Sequence, residues 1–413
     1  MPPCDPWEFS YIRVTQFKSI LSLIGSSTTG NKAQLTARVS SELRKPQAHR
    51  ALFKHGKAGE EKRNADGPPG REKLRILSID MGIRNLAFCV ADVTTKPTPR
   101  PEAEMEVLAW KRLNVADEVA KLMAQKTMSK AKKSKELEGS FDSFSPAALS
   151  HAAYTLLTET LLPWKPDVIL IERQRWRSGG GAAIQEWTLR VNTLESMFWA
   201  ILTSLREAQK SVPKRVEEGK RAKEPFQVFD INPKRVGQFW INEEKPYRSE
   251  DEVKVEEEST TQTKDPPRAK PLTRAKAEKL IKIQLVHSWL TATSPATSGE
   301  RKRESVRLNP WLDLSNTLIS FRFSGDAEGT RRALCAPLVK TKRGTTRAKK
   351  GKKKTQATDE AATGLKKLDD VTDCFLQAAA WVAWEGNRKR LLGWWEGTEV
   401  CDLSEEDWRL RVR

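Results

Sequence analysis

Two short apolar runs that each end on a carboxylate constrain this chain more than any other feature. L-R-I-L-S-I-D covers Leu74 to Asp80, and D-V-I-L-I-E covers Asp167 to Glu172. Runs of this length, rich in branched aliphatics, read as strands buried on both faces of a sheet. A carboxylate at the end of such a strand sits at the rim of the core, where its charge needs a partner. After the first run, M-G-I-R turns, and Asn85 to Ala91 reads as an antiparallel partner. Val107 to Leu113 reads as a third strand, Pro146 to Leu162 as a helix, and Ala183 to Ala208 as a long helix. Phe226 to Ile231 gives another strand, with P-K-R-V-G-Q-F-W helical behind it. Thr273 to Leu290 and Asp369 to Trp384 complete the helices. A meander followed by strands alternating with helices is the pattern of an α/β protein.

A third acidic group, L-D-D-V-T-D, opens the last helix. Asp370 and Asp373 are three apart and share a helix face; Asp369 and Asp373, four apart, do so too. One aspartate at a helix start is a cap that suits the helix dipole. Three in five positions exceed what a cap needs, and they repel unless cations neutralise them. Brought together, Asp80, Glu172 and these aspartates make an all-oxygen site suited to Mg²⁺ or Mn²⁺ rather than zinc. The plainer alternative is that the acids cap elements and pair with surface cations.

Directly after Glu172 comes R-Q-R-W-R-S-G-G-G. Arg173, Gln174, Arg175 and Arg177 are candidate contacts to a phosphate backbone, Trp176 a stacking group, and Gly179 to Gly181 a place for close approach. Arg84, in the turn after Asp80, and Lys276 and Lys279, on a basic helix, are further candidates. For each alone, a solvated surface cation is the competing reading. The chain as a whole favours a polyanionic partner: 73 lysines and arginines face 54 acids, a net charge of +19.

Other classes are disfavoured. The five cysteines lack zinc-ligand spacing, and four histidines are too few for a histidine-based metal site. No apolar run is long enough to span a membrane. The N-terminus lacks the apolar core of a signal peptide, and it is poor in arginine, so a mitochondrial presequence is only weakly written. Most of the 14 tryptophans are expected in the core. Residues 44–73 read as a linker, and segments near 123–138, 243–270 and 341–364 as solvated inserts.

The core motifs resemble the fungal mitochondrial Holliday junction resolvases, eukaryotic relatives of bacterial RuvC. The matching stretches are Leu77 to Ala87, Ile171 to Ser178, Val191 to Phe198, Ile231 to Val236 and Lys367 to Asp373. Residues 9–43 resemble a SAP motif, a DNA-binding pair of short helices around a Gly-x-Lys turn, here Gly30 to Lys32. The resemblance implies an RNase H-like (RuvC-type) α/β fold over residues 74–413, with a central five-stranded mixed sheet flanked by helices. It implies paired symmetric nicks in four-way junction DNA by a homodimer, with two Mg²⁺ ions per active site, no nucleotide cofactor, and a mitochondrial location. Asp80, Glu172, Asp370 and Asp373 would be the ligands, with Asp369 the competitor for Asp370; Lys32 would contact DNA from the SAP-like unit.

Three rival readings follow from the same residues. An actin-like or sugar-kinase-like ATPase also begins with a strand and D-x-G, but a second phosphate loop is not recognisable here. A non-catalytic junction or nucleoid protein would keep the fold, yet the acidic set is complete. An RNase H-like nuclease could act on another substrate such as an RNA–DNA hybrid.

Overall fold

The structure is a computed structural model, and it describes residues 12–44, 73–96, 102–128, 144–174, 186–211, 225–241, 274–292, 318–335 and 368–395. Its centre is a mixed sheet of β1 (Leu74–Asp80), β2 (Leu86–Lys96), β3 (Glu102–Leu113), β4 (Val168–Glu172), β5 (Gln227–Ile231) and β6 (Leu318–Phe323). The strand order is β5-β4-β1-β2-β3-β6. β1, β2 and β3 form the antiparallel meander; β4 joins β1 in parallel and β5 joins β4 in parallel. The α/β class and the mixed sheet are as expected, but the sheet has six strands, not five. The extra strand, β6, runs parallel to the outer edge of β3. Its sequence, L-I-S-F-R-F, alternates with period two, which suits an edge strand packed on one face.

Side chains alternate between two apolar layers, one on each face of the sheet. Ile76, Cys89, Ala91, Met105 and Leu170 point into the first layer; Leu77, Ile79, Phe88, Val90 and Ile169 point into the second. The alternation is broken once. Val90 pairs with Ala109 and Ala91 with Val107, so Leu108 is an extra residue in β3, a β-bulge. Without it Trp110 would face the second layer. With it, Trp110 enters the first layer, and Arg112, two residues on, points to the same side.

The second layer is covered by α3 (Val115–Met128), α4 (Pro146–Thr155) with the π-helical turn Leu156–Leu161 behind it, and α5 (Glu186–Ser211). The first layer is covered by α6 (Pro233–Ile241), α7 (Arg274–Ala292), α8 (Ala327–Cys335) and α9 (Leu368–Trp395). Along α5, Leu194 and Phe198 are fully buried while Trp187 is 38% exposed. Residues 123–128 of the first expected insert belong to α3, in which Val119 packs on the second layer, and residues 129–138 lie outside the described residues. The expected inserts at 243–270 and 341–364 and the linker residues 45–72 lie outside the described residues.

At the front, α1 (Val14–Leu23) and α2 (Lys32–Arg44) build a small core of their own around Phe17, Leu21, Leu35 and Val39. Gly25 stops α1 with φ +66°, a left-handed conformation that glycine adopts without strain. Asn31 caps α2: its side-chain oxygen accepts from the Gln34 N–H, and the Gln34 side chain accepts from the Asn31 N–H. This helical pair is fastened to α9. Asn387 donates to Leu23 O at 2.8 Å and Arg388 donates to Ile24 O at 3.2 Å.

Candidate active site

Asp80 and Glu172 are placed together by strand register. β1 and β4 are parallel, with Ser78 opposite Leu170 and Ile79 opposite Ile171, so their last residues fall side by side. Period two puts Ile76, Ser78 and Asp80 on one face of β1, and Val168, Leu170 and Glu172 on the same face of β4. That face is the one α9 covers. Burial pushes the Asp80 carboxyl well above the usual carboxylate range, and the facing Glu172 adds to the shift through charge and a side-chain hydrogen bond. Asp373 and Asp370 push in the same direction. Four acids from three elements thus share one field at the C-terminal ends of β1 and β4.

The start of α9 is held there by polar contacts to three strands. Ser78 Oγ donates to Cys374 O at 2.8 Å. The Gln377 amide donates to Ser78 Oγ at 3.0 Å, with longer contacts to Ile79 O and Leu170 O at 3.3 and 3.4 Å. Trp110, turned inward by the bulge, donates its indole N–H to Val371 O at 2.8 Å. None of these groups reaches solvent: Ser78 and Trp110 are 0% exposed and Gln377 2%. Buried polar groups this well matched fix one arrangement of helix against sheet.

The aspartates of α9 meet cations from β3 and α7. Lys282 Nζ lies 2.9 Å from Asp373 Oδ1, Lys279 pairs with Asp369 at 2.5 Å, and Arg112 forms a longer ion pair with Asp370 at 3.8 Å. Burial raises the Asp373 carboxyl, and Lys282 partly offsets that rise. Burial acts to lower the Lys282 ammonium, but Asp373, Glu278 and Glu172 together outweigh it and the net shift is upward. Gly237 of α6 packs close to this part of α7: a Cβ there would approach the Glu278 carboxylate to 3.0 Å and the Lys282 stem to 3.8 Å, the latter an ordinary contact. Among the described residues no three acidic, histidine or cysteine side chains form a ready-made metal cage. The acids are gathered, and their charge is shared with lysine and arginine.

The expected nucleic-acid contacts are placed variously. Arg173 follows Glu172 directly; it pairs with Asp230 of β5, and its N–H donates to Ile231 O at 2.8 Å. The Gln174 N–H donates to Glu195 of α5 at 3.1 Å. Arg84 is exposed in the β1–β2 turn and lies over the Trp187 ring. Lys32 is exposed at the start of α2. Lys279 pairs with Asp369, because α7 lays it across the start of α9. Lys276 lies in the first turn of α7 with its side chain outside the described ones; Arg175, Trp176, Arg177 and Gly179 to Gly181 lie outside the described residues. Sequence reasoning missed Ser78, Trp110, Arg112, Lys282 and Gln377. Two of these were written in the periodicity: Ser78 is two before Asp80 on a strand, and Gln377 four after Asp373 on a helix.

A model of the family described as mitochondrial resolvase Ydc2 / RNA splicing MRS1 matches residues 76–391, spanning every acid of the site. The chain belongs to this family. Among curated members, the mitochondrial cruciform cutting endonuclease 1 of Schizosaccharomyces pombe is 28% identical over 191 residues, 46% of this chain and 62% of that protein. The match thus spans less than two thirds of that relative's length. The protein of the same name from Saccharomyces cerevisiae is 24% identical over 318 residues, 76% of this chain and 70% of that one. The crystal structure of the yeast mitochondrial Holliday junction resolvase Ydc2 aligns with a TM-score of 0.43 at 18% identity, covering 94% of this chain and 99% of that chain. The match takes in β4 whole, β1 from Ile76 onward and α9 as far as Leu391.

Proposed function

We propose that this chain is a structure-specific DNA endonuclease that resolves four-way (Holliday) junctions by paired symmetric nicks. One observation carries the reading: strand register sets Asp80 beside Glu172, and Glu172, Asp370 and Asp373 all act on Asp80 at that sheet end, in a member of a family described in part as resolvases. The donor set is all oxygen, and the Asp80 carboxyl is raised first by burial and then by the neighbouring acids, a concentration of buried carboxylates that a hard cation would relieve. Asp80, Glu172, Asp370 and Asp373 are the residues that would hold Mg²⁺ or Mn²⁺, two ions per site; Asp369, tied to Lys279, is the weaker claimant. Such ions supply an activated water and stabilise the leaving oxygen in phosphodiester hydrolysis.

The chain's own groups do the rest. Gln377 and Ser78 hold α9 so that Asp370 and Asp373 face Asp80 and Glu172. Lys282 and Arg112 balance the acids' charge before substrate arrives. Arg173 stands at the mouth beside Glu172, where a phosphate backbone would pass. A homodimer presents two such sites to the two symmetric strands of a junction. The relatives' names place this activity in mitochondria.

A second reading has one observation in its favour. The family description also names RNA splicing, and each α9 aspartate already has a cation near it, as a non-catalytic binder could tolerate. Cleavage decides between them. A synthetic four-way junction, a matched linear duplex and an RNA–DNA hybrid are incubated with the protein and Mg²⁺, with Asp80→Asn as control. Symmetric nicks confined to the junction and absent in the control support the resolvase. Binding without cleavage supports the binder, and hybrid cleavage changes the substrate.

A further inference from the structure

A group of aromatic and basic side chains stands at the same sheet end as the acids, on the opposite layer from α9. Arg84 comes four residues after Asp80, in the turn that ends β1. The turn is anchored, since the Val115 N–H donates to Ile83 O at 2.8 Å and Ile83 is buried. Trp187 lies in the first turn of α5, the helix that the chain enters after the loop following Glu172. The Arg84 guanidinium sits over the Trp187 ring at 5.3 Å. Phe144, just before α4, meets Trp187 edge-on, with centroids 5.8 Å apart and planes at 71°. Arg190, one turn further along α5, lies 4.0 Å over the Phe144 ring. The series Arg84, Trp187, Phe144, Arg190 therefore alternates cation, ring, ring, cation, drawn from three separate segments.

The apolar content of this group is only partly buried. Phe144 packs against the second layer, while Trp187 remains 38% exposed. A tryptophan held at a fixed angle by a neighbouring ring and a cation, with more than a third of its surface still open to solvent, presents a pre-ordered ring edge and face to a partner. A planar partner would complete it. The flanking arginines and the net charge of +19 argue against a cationic or purely apolar partner and for an anionic one with aromatic planes. Nucleic acid with an unstacked base meets both demands: base–aromatic stacking contributes about 1–3 kcal/mol per base, and arginine contacts the adjoining phosphates.

We propose that Trp187, edged by Phe144 and flanked by Arg84 and Arg190, is a stacking platform for an unpaired nucleobase at the branch point of the DNA. The inference rests on the junction-binding reading above and adds which surface senses the branch. A paired, continuous duplex keeps its bases stacked inside the helix and offers nothing to the platform. A branch point exposes base faces at the crossover, so the platform favours branched over linear DNA without reading sequence.

The test uses the full chain in Ca²⁺, to hold DNA without cutting, and a four-way junction carrying 2-aminopurine at the branch. Wild type, Trp187→Ala and Trp187→Phe are compared for branch-point fluorescence, for affinity to junction and linear duplex, and for oligomeric state. The expected result is a fluorescence change with wild type and Trp187→Phe that Trp187→Ala lacks. Affinity for the junction should fall about 5- to 50-fold in Trp187→Ala, with duplex affinity within about 3-fold. Equal fluorescence and equal junction affinity in all three proteins overturn the platform while leaving the resolvase reading intact. A change of oligomeric state in Trp187→Ala overturns it too, marking the surface as a contact between copies. Wild type that does not prefer junctions over duplex sinks the functional reading itself, and the platform with it.

Discussion

Gln377 of the last helix donates its side-chain amide to Ser78 of the first strand across 299 residues of sequence, at 3.0 Å. The contact is fully buried, and it sets where Asp373, one helical turn earlier, stands relative to Asp80, two strand positions later. Replacing Gln377 by Leu keeps the volume and removes the donor. Ser78, Ile79 O and Leu170 O then lose a partner, at a cost of about 1–3 kcal/mol. Junction cleavage is expected to fall by about 10- to 100-fold, while junction affinity stays within about 2-fold, because a small misplacement of ligands affects chemistry and not arm binding. Single-turnover rates and gel-shift affinities measured side by side check this; parallel loss of both would mean general unfolding.

Asp80 carries a stability cost that its removal should relieve. Its carboxyl is raised by burial and by Glu172, so the folded chain keeps this proton at pH values where the unfolded chain has lost it. The folded state binds more protons, and the stability tied to the group is present below the unfolded carboxylate range and lost as pH rises through the raised folded value. Asp80→Asn lacks that loss. Metal-free Asp80→Asn is expected to melt roughly 2–4 °C above wild type at pH 7–8, the shift for about 1 kcal/mol, with the gap closing toward pH 4. Added Mn²⁺ should raise the wild-type Tm and leave the variant unmoved. A variant less stable than wild type at every pH would contradict the assignment.

Lys282 is a cation already in place beside a proposed metal ligand. Its side chain is 12% exposed and 2.9 Å from Asp373. In Lys282→Met the stem still packs near Gly237, but Asp373 is left without this partner. The metal-free protein should lose about 2–4 kcal/mol, the scale for breaking a buried pair from one side. Mn²⁺ should then recover more stability in the variant than it adds to wild type, since it no longer competes with an ammonium. Thermal melts across a Mn²⁺ series measure the difference; identical metal-dependent gains would show that Lys282 does not share the site.

Most of the sheet was legible because its strands announce themselves. L-R-I-L-S-I-D, interrupted only by Arg75 and Ser78, and V-I-L-I-E are strongly apolar runs, and their carboxylate ends fall at two sides of the candidate site. Asp370 and Asp373 were legible from helical spacing. β6 was overlooked because L-I-S-F-R-F alternates over only six residues and sits among polar, basic chain. Trp110 and Arg112 were out of reach for a different reason. Simple alternation sends them to the wrong face, and only the extra residue at Leu108 reverses it; a bulge leaves no mark in hydrophobic pattern. The ion pairs of Lys279 and Lys282 were out of reach as well, because sequence shows the charge of α7 and not the aspartates that α9 brings to it.

The N-terminal helices are fastened to the last helix of the sheet domain, and Gly25 lies against that seam. A Cβ at Gly25 would lie 2.3 Å from the Trp384 ring, and its φ of +66° would be strained for any other L-residue. Its carbonyl accepts from Arg235 at 2.9 Å, and the neighbouring carbonyls of Leu23 and Ile24 accept from Asn387 and Arg388. Glu42 of α2 and Glu385 of α9 both stand within 3.7 Å of Arg388, so the seam is sealed by charge as well. Gly25→Ala must therefore displace a buried tryptophan or break the turn. The expected outcome is a loss of about 2–3 kcal/mol. Faster hydrogen exchange should be confined to α1, α2 and the second half of α9, with β1, β4 and the first turns of α9 unchanged. If the helices are a loosely tethered module instead, Gly25→Ala will melt like wild type and exchange will rise in α1 and α2 alone.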